Sequence, residues 1–342
     1  MGTLFEGVEH PIIQAPMAGA QAGMMAAAVS RMGALGSLPC AMLGPEALRK
    51  ELELYRSRTS NPINVNFFVH AQPTPDPARE AAWRRLLKPY YDEYGIDPET
   101  IPAGPGRSPF SAELADALEP FRPEVVSFHF GLPSPALLAR VKGWGSKVLS
   151  SATTVEEALW LEANGVDAVI AQGLEAGGHR GMFLTDDLTT QVGTFSLVAQ
   201  VARAVKVPVI AAGGVAGPAG VRAALALGAS AVQVGTAFLL CDEATISATH
   251  RAALKSEGAR HTALTNLFTG RPSRCILNRF TREMGPINPA APAFPLATTA
   301  VAPLRAKAEA DGRGDFSPLW SGQNASGCRE GPAAKVIESL LA

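Results

Sequence analysis

The sequence predicts an α/β fold: a (β/α)8 (TIM) barrel with an insertion after its third strand and an appended C-terminal helical segment. Three observations predict it. Short apolar runs of strand type alternate with helix-type stretches eight times within about 240 residues. The runs are nearly unbroken in apolar character, as in a parallel sheet covered on both faces. Glycine clusters follow several of them, where a barrel keeps its binding loops. A doubly wound sheet shows the same alternation, and spacing alone leaves it open.

The elements follow in order. His10 to Ala15 reads as the first strand, Gln21 to Arg31 as helix and Gly33 to Leu38 as the second strand. Gly44-Pro45-Glu46 opens a helix to about Arg58, with proline at its first position. Pro62 to Val69 is the third strand, with Asn64 and Asn66 on one face by period two. His70 to Ser108 breaks the rhythm. It is rich in Pro and Gly around one amphipathic stretch, Ala78 to Tyr94, and reads as the insertion.

Alternation resumes with helix Ser111 to Leu118, strand Val125 to Phe130, helix Pro135 to Val141 and strand Lys147 to Ser151. Thr154 and Glu157 make a capping box for a helix to Asn164, which Gly165 stops. Strand Asp167 to Ala171, helix Thr194 to Ala204, strand Val207 to Ala212, helix Pro218 to Leu227 and strand Ala231 to Gly235 complete the set. The barrel is expected over 1–257. The segment 258–342, with helix-like pieces at Ala302 to Ala310 and Ala333 to Leu341, is expected to be mainly helical and to pack on it.

Composition excludes several function classes. The 342 residues are 47% hydrophobic and 18% charged with a net charge of −1, and no basic stripe predicts a nucleic-acid partner. No apolar run is long enough to span a membrane, and the first ten residues do not read as a secretory signal. Cys40, Cys241, Cys275 and Cys328 lack metal spacing, and a reducing cytoplasm suits them. Asn324-Ala325-Ser326 matches a glycosylation sequon, which carries no meaning without a signal.

The chemistry is expected in Val169 to Met182. An apolar strand ends at Gln172, and Gly173, Gly177, Gly178 and Gly181 follow around His179 and Arg180. Such a loop can adopt positive φ and present its amides to a ligand. A lone loop histidine is ordinarily structural, so the neighbouring motifs decide. Gly213-Gly214 follows the seventh strand, and Gln233-Val234-Gly235-Thr236 ends the eighth. Those two loops bind phosphate in many barrels: glycine admits the backbone, amides point at the anion and a helix dipole favours it. Whether the phosphate belongs to a flavin nucleotide or to a sugar phosphate does not follow from glycines.

Three segments together resemble the nitronate monooxygenase family, formerly called 2-nitropropane dioxygenases. They are Gln14-Ala15-Pro16-Met17, the run Gln172 to Gly181, and Gly213-Gly214 with Gly228 to Thr236; Gly322-Gln323 resembles the closing motif. The resemblance covers roughly residues 10 to 240, and its Gly-Gly-His segment is shared with flavin-dependent enoyl-ACP reductases. It implies non-covalent FMN on a TIM barrel. Asn66, Gln172, Gly177, Gly178, Gly213, Gly214, Gln233, Val234, Gly235 and Thr236 would hold FMN, with Gln323 as a further contact. Ala15, Pro16 and Met17 would lie along the isoalloxazine ring. His179 would be the active-site histidine, a base toward a nitroalkane or an imidazolium toward an anionic nitronate. The implied reaction takes a small nitronate, such as propionate 3-nitronate, and O2 to a carbonyl product and nitrite.

His129 shares a strand face with Ser127 and Gly131 and is a candidate for the substrate pocket, or else a core histidine. Arg271, Arg274, Arg279 and Arg282 read as a solvated or intersubunit face, or as a carboxylate clamp. Glu175 reads as a residue that orders the histidine loop. Two other functions remain open: an NAD(P)H-dependent flavin reductase of enoyl-ACP or quinone type, and a non-catalytic FMN- or phosphate-binding barrel.

Overall fold

A computed structural model describes residues 4–101 and 107–342. The first three residues and positions 102–106 of the expected insertion lie outside the described residues.

Eight parallel strands form the barrel: β1 (Ile12–Gln14), β2 (Gly36–Pro39), β3 (Ile63–Phe68), β4 (Val125–His129), β5 (Lys147–Ala152), β6 (Ala168–Gln172), β8 (Val209–Ala212) and β9 (Ala231–Val234). Their order runs β1-β9-β8-β6-β5-β4-β3-β2, and a parallel bridge from Ile13 to Leu35 brings the two ends together. That closure excludes the doubly wound sheet. Helices α1 (Gly23–Ser30), α2 (Pro45–Arg58), α4 (Ala112–Leu118), α5 (Pro135–Gly143), α6 (Val155–Ala163), α7 (Thr194–Ala204) and α8 (Pro218–Ala226) surround it.

The pleat sorts the side chains. Ile12, Val65, Phe67, Val126, Phe128, Val148, Val169, Val209, Val232 and Val234 pack outward against the helices. Ile13, Leu35, Val125, Leu149, Ile170 and Ile210 fill the lower lumen, where Phe5 and Val8 join them. The same alternation turns Asn66, Ser127, His129, Ser151, Gln172 and Gln233 into the lumen near the C-terminal strand ends.

Helix ends follow local chemistry. Asp76 caps α3 (Pro77–Tyr94) by accepting from the Arg79 amide at 3.0 Å, and Gly95 leaves the helix in the left-handed conformation. At α6, Thr154 accepts from Glu157 N, but the Glu157 carboxylate bonds Thr153 N at 2.6 Å rather than the cap residue. Its other oxygen accepts from Phe183 N at 2.6 Å, so the expected capping box becomes a tie to the histidine loop.

Segment 258–342 contains α10 (Arg279–Glu283), α11 (Ala297–Ala310) and α12 (Ala333–Leu341), preceded by α9 (Ala248–Lys255). Beyond the expected helices it carries a hairpin, β10 (Thr262–Thr265) and β11 (Ser273–Ile276). β11 also pairs with β7, the two residues Gly178–His179. α3 of the insertion lays Trp83, Leu87, Tyr90 and Tyr91 against Phe268, Phe280, Val301, Leu304 and Phe316, a second core beside the barrel. α12 returns to the barrel, packing Val336, Ile337 and Leu340 into its outer core.

Candidate active site

The C-terminal ends of the strands open into a cavity of about 570 Å³. Ligand pockets commonly measure about 300–1,000 Å³. Ala15, Pro16, Met17, Asn66, His129, Gln172, Gly177, Gly178, His179, Gly213, Gly214, Gln233, Gly235 and Thr236 line it. Val234 does not: its side chain points into the outer core, and its carbonyl accepts from Ala15 N at 2.8 Å. Gln323 is exposed and contributes its amide N–H to the Glu175 carbonyl at 2.9 Å.

One end of the cavity is built from backbone. Gly213 (φ 116°), Gly214 (φ 73°) and Gly178 (φ 71°) all occupy the left-handed half of backbone space. A Cβ on Gly177 would lie 2.5 Å from Gly322 N, so only glycine lets segment 321–324 close over the loop. Gly322 N donates to Thr236 Oγ1 at 2.9 Å, leaving the hydroxyl proton of Thr236 free to donate onward. Asn324 donates to the Gly214 carbonyl at 3.0 Å and lines the cavity. Sequence reading missed this residue because its sequon gave it a different meaning.

The histidine loop is held from every side. Gln172 Nε2 donates to the His179 carbonyl at 2.9 Å, and its Oε1 accepts from Gly181 N at 2.8 Å. Arg180 is fully buried and donates to Gly173 O and Gln172 O, both at 2.7 Å, and to Gln191 Oε1 at 2.9 Å. Burial lowers its pKa to about 10. Arg274 Nε donates to Leu174 O at 2.9 Å. Glu175 accepts from Thr194 N and Oγ1, both at 2.7 Å, fastening the loop to the start of α7.

His129 lines the cavity and pins the same loop. Its Nε2 lies 3.2 Å from the His179 carbonyl, which can only accept, so the proton sits there. Its Nδ1 therefore takes the Ser151 hydroxyl proton at 3.0 Å. Burial drops its pKa to about 3.

The His179 ring stands among Phe294, Trp320, Phe68 and Phe130, with centroids 5.3, 5.5, 6.0 and 6.1 Å away. Its Nε2 is 3.0 Å from Thr269 Oγ1. Burial, followed by the positive charge of Arg107 and, further down, of Arg271, holds its pKa well below the usual histidine value. The ring is neutral at pH 7 and can accept a proton. No carboxylate is among the charges that act on the ring, so nothing in the fold favours an imidazolium there before an anion binds.

The expected arginine cluster disperses. Arg271 stacks 4.2 Å over Phe130 and donates to the Met182 carbonyl, and Arg274 ties the loop. Arg279 pairs with Glu93 and Glu283, and Arg282 faces solvent. Two other arginines line the cavity, Arg305, which pairs with Glu309, and Arg107, whose Nη1 is buried without a partner among the described residues. Nothing in the sequence marked Arg107, because it enters from the irregular insertion.

Gln233 Oε1 is likewise buried on the cavity wall without a partner. Leaving a buried acceptor unpaired costs about 1–3 kcal/mol. A planar heterocycle with ring N–H groups would satisfy it, and the glycine loops would admit a phosphate. The donor set fits a flavin mononucleotide.

Fold and site thus define a class: a (β/α)8 barrel whose cavity at the strand ends has glycine backbone at one end and a neutral histidine at the other. The family profile described as nitronate monooxygenase matches residues 3–342. Nitronate monooxygenases of Paraburkholderia phytofirmans and Pseudomonas aeruginosa are 42% and 43% identical, each covering 98% of this chain, and 92% and 96% of their own lengths. A nitroalkane oxidase structure from Streptomyces ansochromogenes superposes with a TM-score of 0.87 at 39% identity, covering 98% of this chain and 95% of that one. FabK from Thermotoga maritima gives 0.72 at 30% identity over 99% and 93%. The chain belongs to the nitronate monooxygenase family, and it is an oxidoreductase of that flavin-dependent class.

Proposed function

We propose that the protein binds FMN and oxidises small alkyl nitronates, such as propionate 3-nitronate, with O2, releasing a carbonyl product and nitrite. The single observation that carries this reading is the neutral His179 ring, fixed by its backbone, facing a cavity whose other end is glycine backbone. FMN would supply the electron transfer. Gly213, Gly214, Gly235 and Thr236 would hold its phosphate, Gln233 and Asn66 its polar ring edge, and Ala15, Pro16 and Met17 its ring face. Gly177, Gly178 and Gln172 would act mainly by shaping the loop. His179 would receive the α-proton of a nitroalkane, or hold a pre-formed nitronate through a neutral contact. The aromatic rings around it would favour the neutral ring over the imidazolium. We place the protein in the cytoplasm: its four cysteines are free, as a reducing compartment keeps them. No described helix is long and apolar enough to cross a membrane.

The likeness to FabK favours a second reading, an NAD(P)H-dependent flavin reductase on the same barrel. Anaerobic flavin spectra separate the two. FMN reduction by a nitronate, with slow reduction by NADH and NADPH, is expected. Rapid reduction by a nicotinamide and none by nitronate would replace the first reading with the second. Release of FAD on heating would remove the cofactor assignment.

A further inference from the structure

A second recess of about 200 Å³, on one side of α11, adjoins the cavity at the strand ends. Arg107, Thr298, Pro318 and Trp320 are among the residues that wall both. The junction lies at the reacting end. Thr269, bonded to the His179 ring, and Trp320, 5.5 Å from that ring, both line the recess. Phe268, Val301, Phe316 and the Trp320 ring make its walls apolar, and Ala302 and Ala306, one turn apart, leave it open along the helix.

Several polar groups around the recess are engaged within the protein. Thr298 Oγ1 donates to Phe268 O at 3.1 Å. Glu309 Oε1 accepts from Arg305 Nε at 2.9 Å and from Ser317 Oγ at 2.7 Å. Thr269 is taken by His179. Beyond Arg107 and the Arg305–Glu309 pair, the walls offer a ligand contact surface rather than hydrogen bonds. A largely apolar recess beside Thr269 and Trp320, next to the His179 ring, suits the part of a substrate that does not react.

We propose that this recess is the subsite for the substrate's alkyl chain, and that it selects longer unbranched primary nitronates over nitroethane. The proposal rests on the nitronate reading above. The nitronate head would stay against His179 while the methylenes run past Trp320 and Thr298 along Ala302 and Ala306.

The test uses flavin-loaded protein and two series. The nitronates of nitroethane through 1-nitrooctane give kcat/KM. The unreactive n-alkanoates, propionate through octanoate, give Kd by calorimetry, because a carboxylate is a planar anion like a nitronate. Both series should improve roughly two- to fourfold per methylene until the trough is full. Ala302→Phe should remove that gain and leave nitroethane turnover at the wild-type level. Ala302 is exposed, so the larger ring fills the trough without entering the core. Ala306→Leu, also exposed, should act in the same direction on the longest chains only. A flat or falling chain-length series, or an Ala302→Phe loss equal for ethyl and octyl compounds, would overturn the subsite. If no nitronate is turned over while alkanoates still show a gradient that Ala302→Phe abolishes, the oxidation reading falls and the subsite stands.

Discussion

Gly214→Val separates a cofactor loop from a mere turn. Gly214 has φ 73°, where an L-residue costs about 1–2 kcal/mol and a β-branched one more. There is no steric clash to add, because a Cβ would meet Glu175 Cβ at 3.5 Å, an ordinary contact. The fold should therefore lose only about 1–3 kcal/mol. Cofactor affinity should fall further. Relaxing the loop toward negative φ turns its amides away from the phosphate, and each charge-assisted hydrogen bond is worth about 1.5–3 kcal/mol. One such bond corresponds to a roughly 10- to 150-fold rise in Kd. FMN titration of the apoprotein by flavin fluorescence gives that ratio, and urea unfolding of the apoprotein gives the stability change. Wild-type FMN affinity in the variant would refute the phosphate role of this loop. A stability loss above about 5 kcal/mol with unchanged affinity would show that the strain argument itself is wrong.

His179→Asn should retain FMN and lose about 10²–10⁴-fold in turnover of a neutral nitroalkane, with a smaller loss on a pre-ionised nitronate; equal losses on both would reject the base. Because His179 is neutral, kcat/KM for a neutral nitroalkane should show no break near pH 6.5, and a break there would refute its depressed pKa. Stability should be full above pH 6.5 and fall as pH drops toward 3, because unfolded histidines bind protons that His129 (about 3), His70 (about 4) and His250 (about 4) refuse in the fold. Each contributes a slope of about 1.4 kcal/mol per pH unit, and urea midpoints unchanged between pH 7 and 4.5 would contradict the burial. Arg180→Met removes a donor from two buried carbonyls, of which Gly173 O keeps the Ala176 amide at 3.0 Å. The loss in urea unfolding should be about 1–3 kcal/mol, and a loss under about 0.5 kcal/mol would show that the loop stands without its staple.

The barrel was legible because its signal is local. Helices Thr194–Ala204 and Ala333–Leu341 have the bounds that periodicity predicts, and Gly165 and Gly228 stop their helices in the left-handed conformation. The outward side chain of Val234 was not legible, because a motif gives an order of residues, whereas the pleat decides which side chains face the lumen. The small sheet was not legible. β7 is two residues long and pairs with Ser273 and Arg274, some ninety positions away. No periodicity survives in two residues. Arg107, Thr269 and Trp320 converge on His179 from the insertion and the appended segment, and only three-dimensional packing brings them there.

That pairing changes how the glycine-rich loop should be understood. Four glycines in the run predict mobility, and a mobile histidine would lose the orientation that proton transfer requires. The chain supplies the rigidity from outside the loop instead. The His179 carbonyl receives both Gln172 and His129, its backbone pairs with β11, and the preceding carbonyls are taken by Arg180 and Arg274. Glycine is then needed for shape: close passage under segment 321–324 at Gly177 and positive φ at Gly178. With the backbone fixed and Nε2 engaged by Thr269, the free nitrogen of the ring is Nδ1, which has no partner among the described residues. Thr269 Oγ1 can donate to the Arg271 carbonyl at 3.4 Å and so accept from Nε2, which would leave Nδ1 as the atom that takes a proton in the proposed reaction.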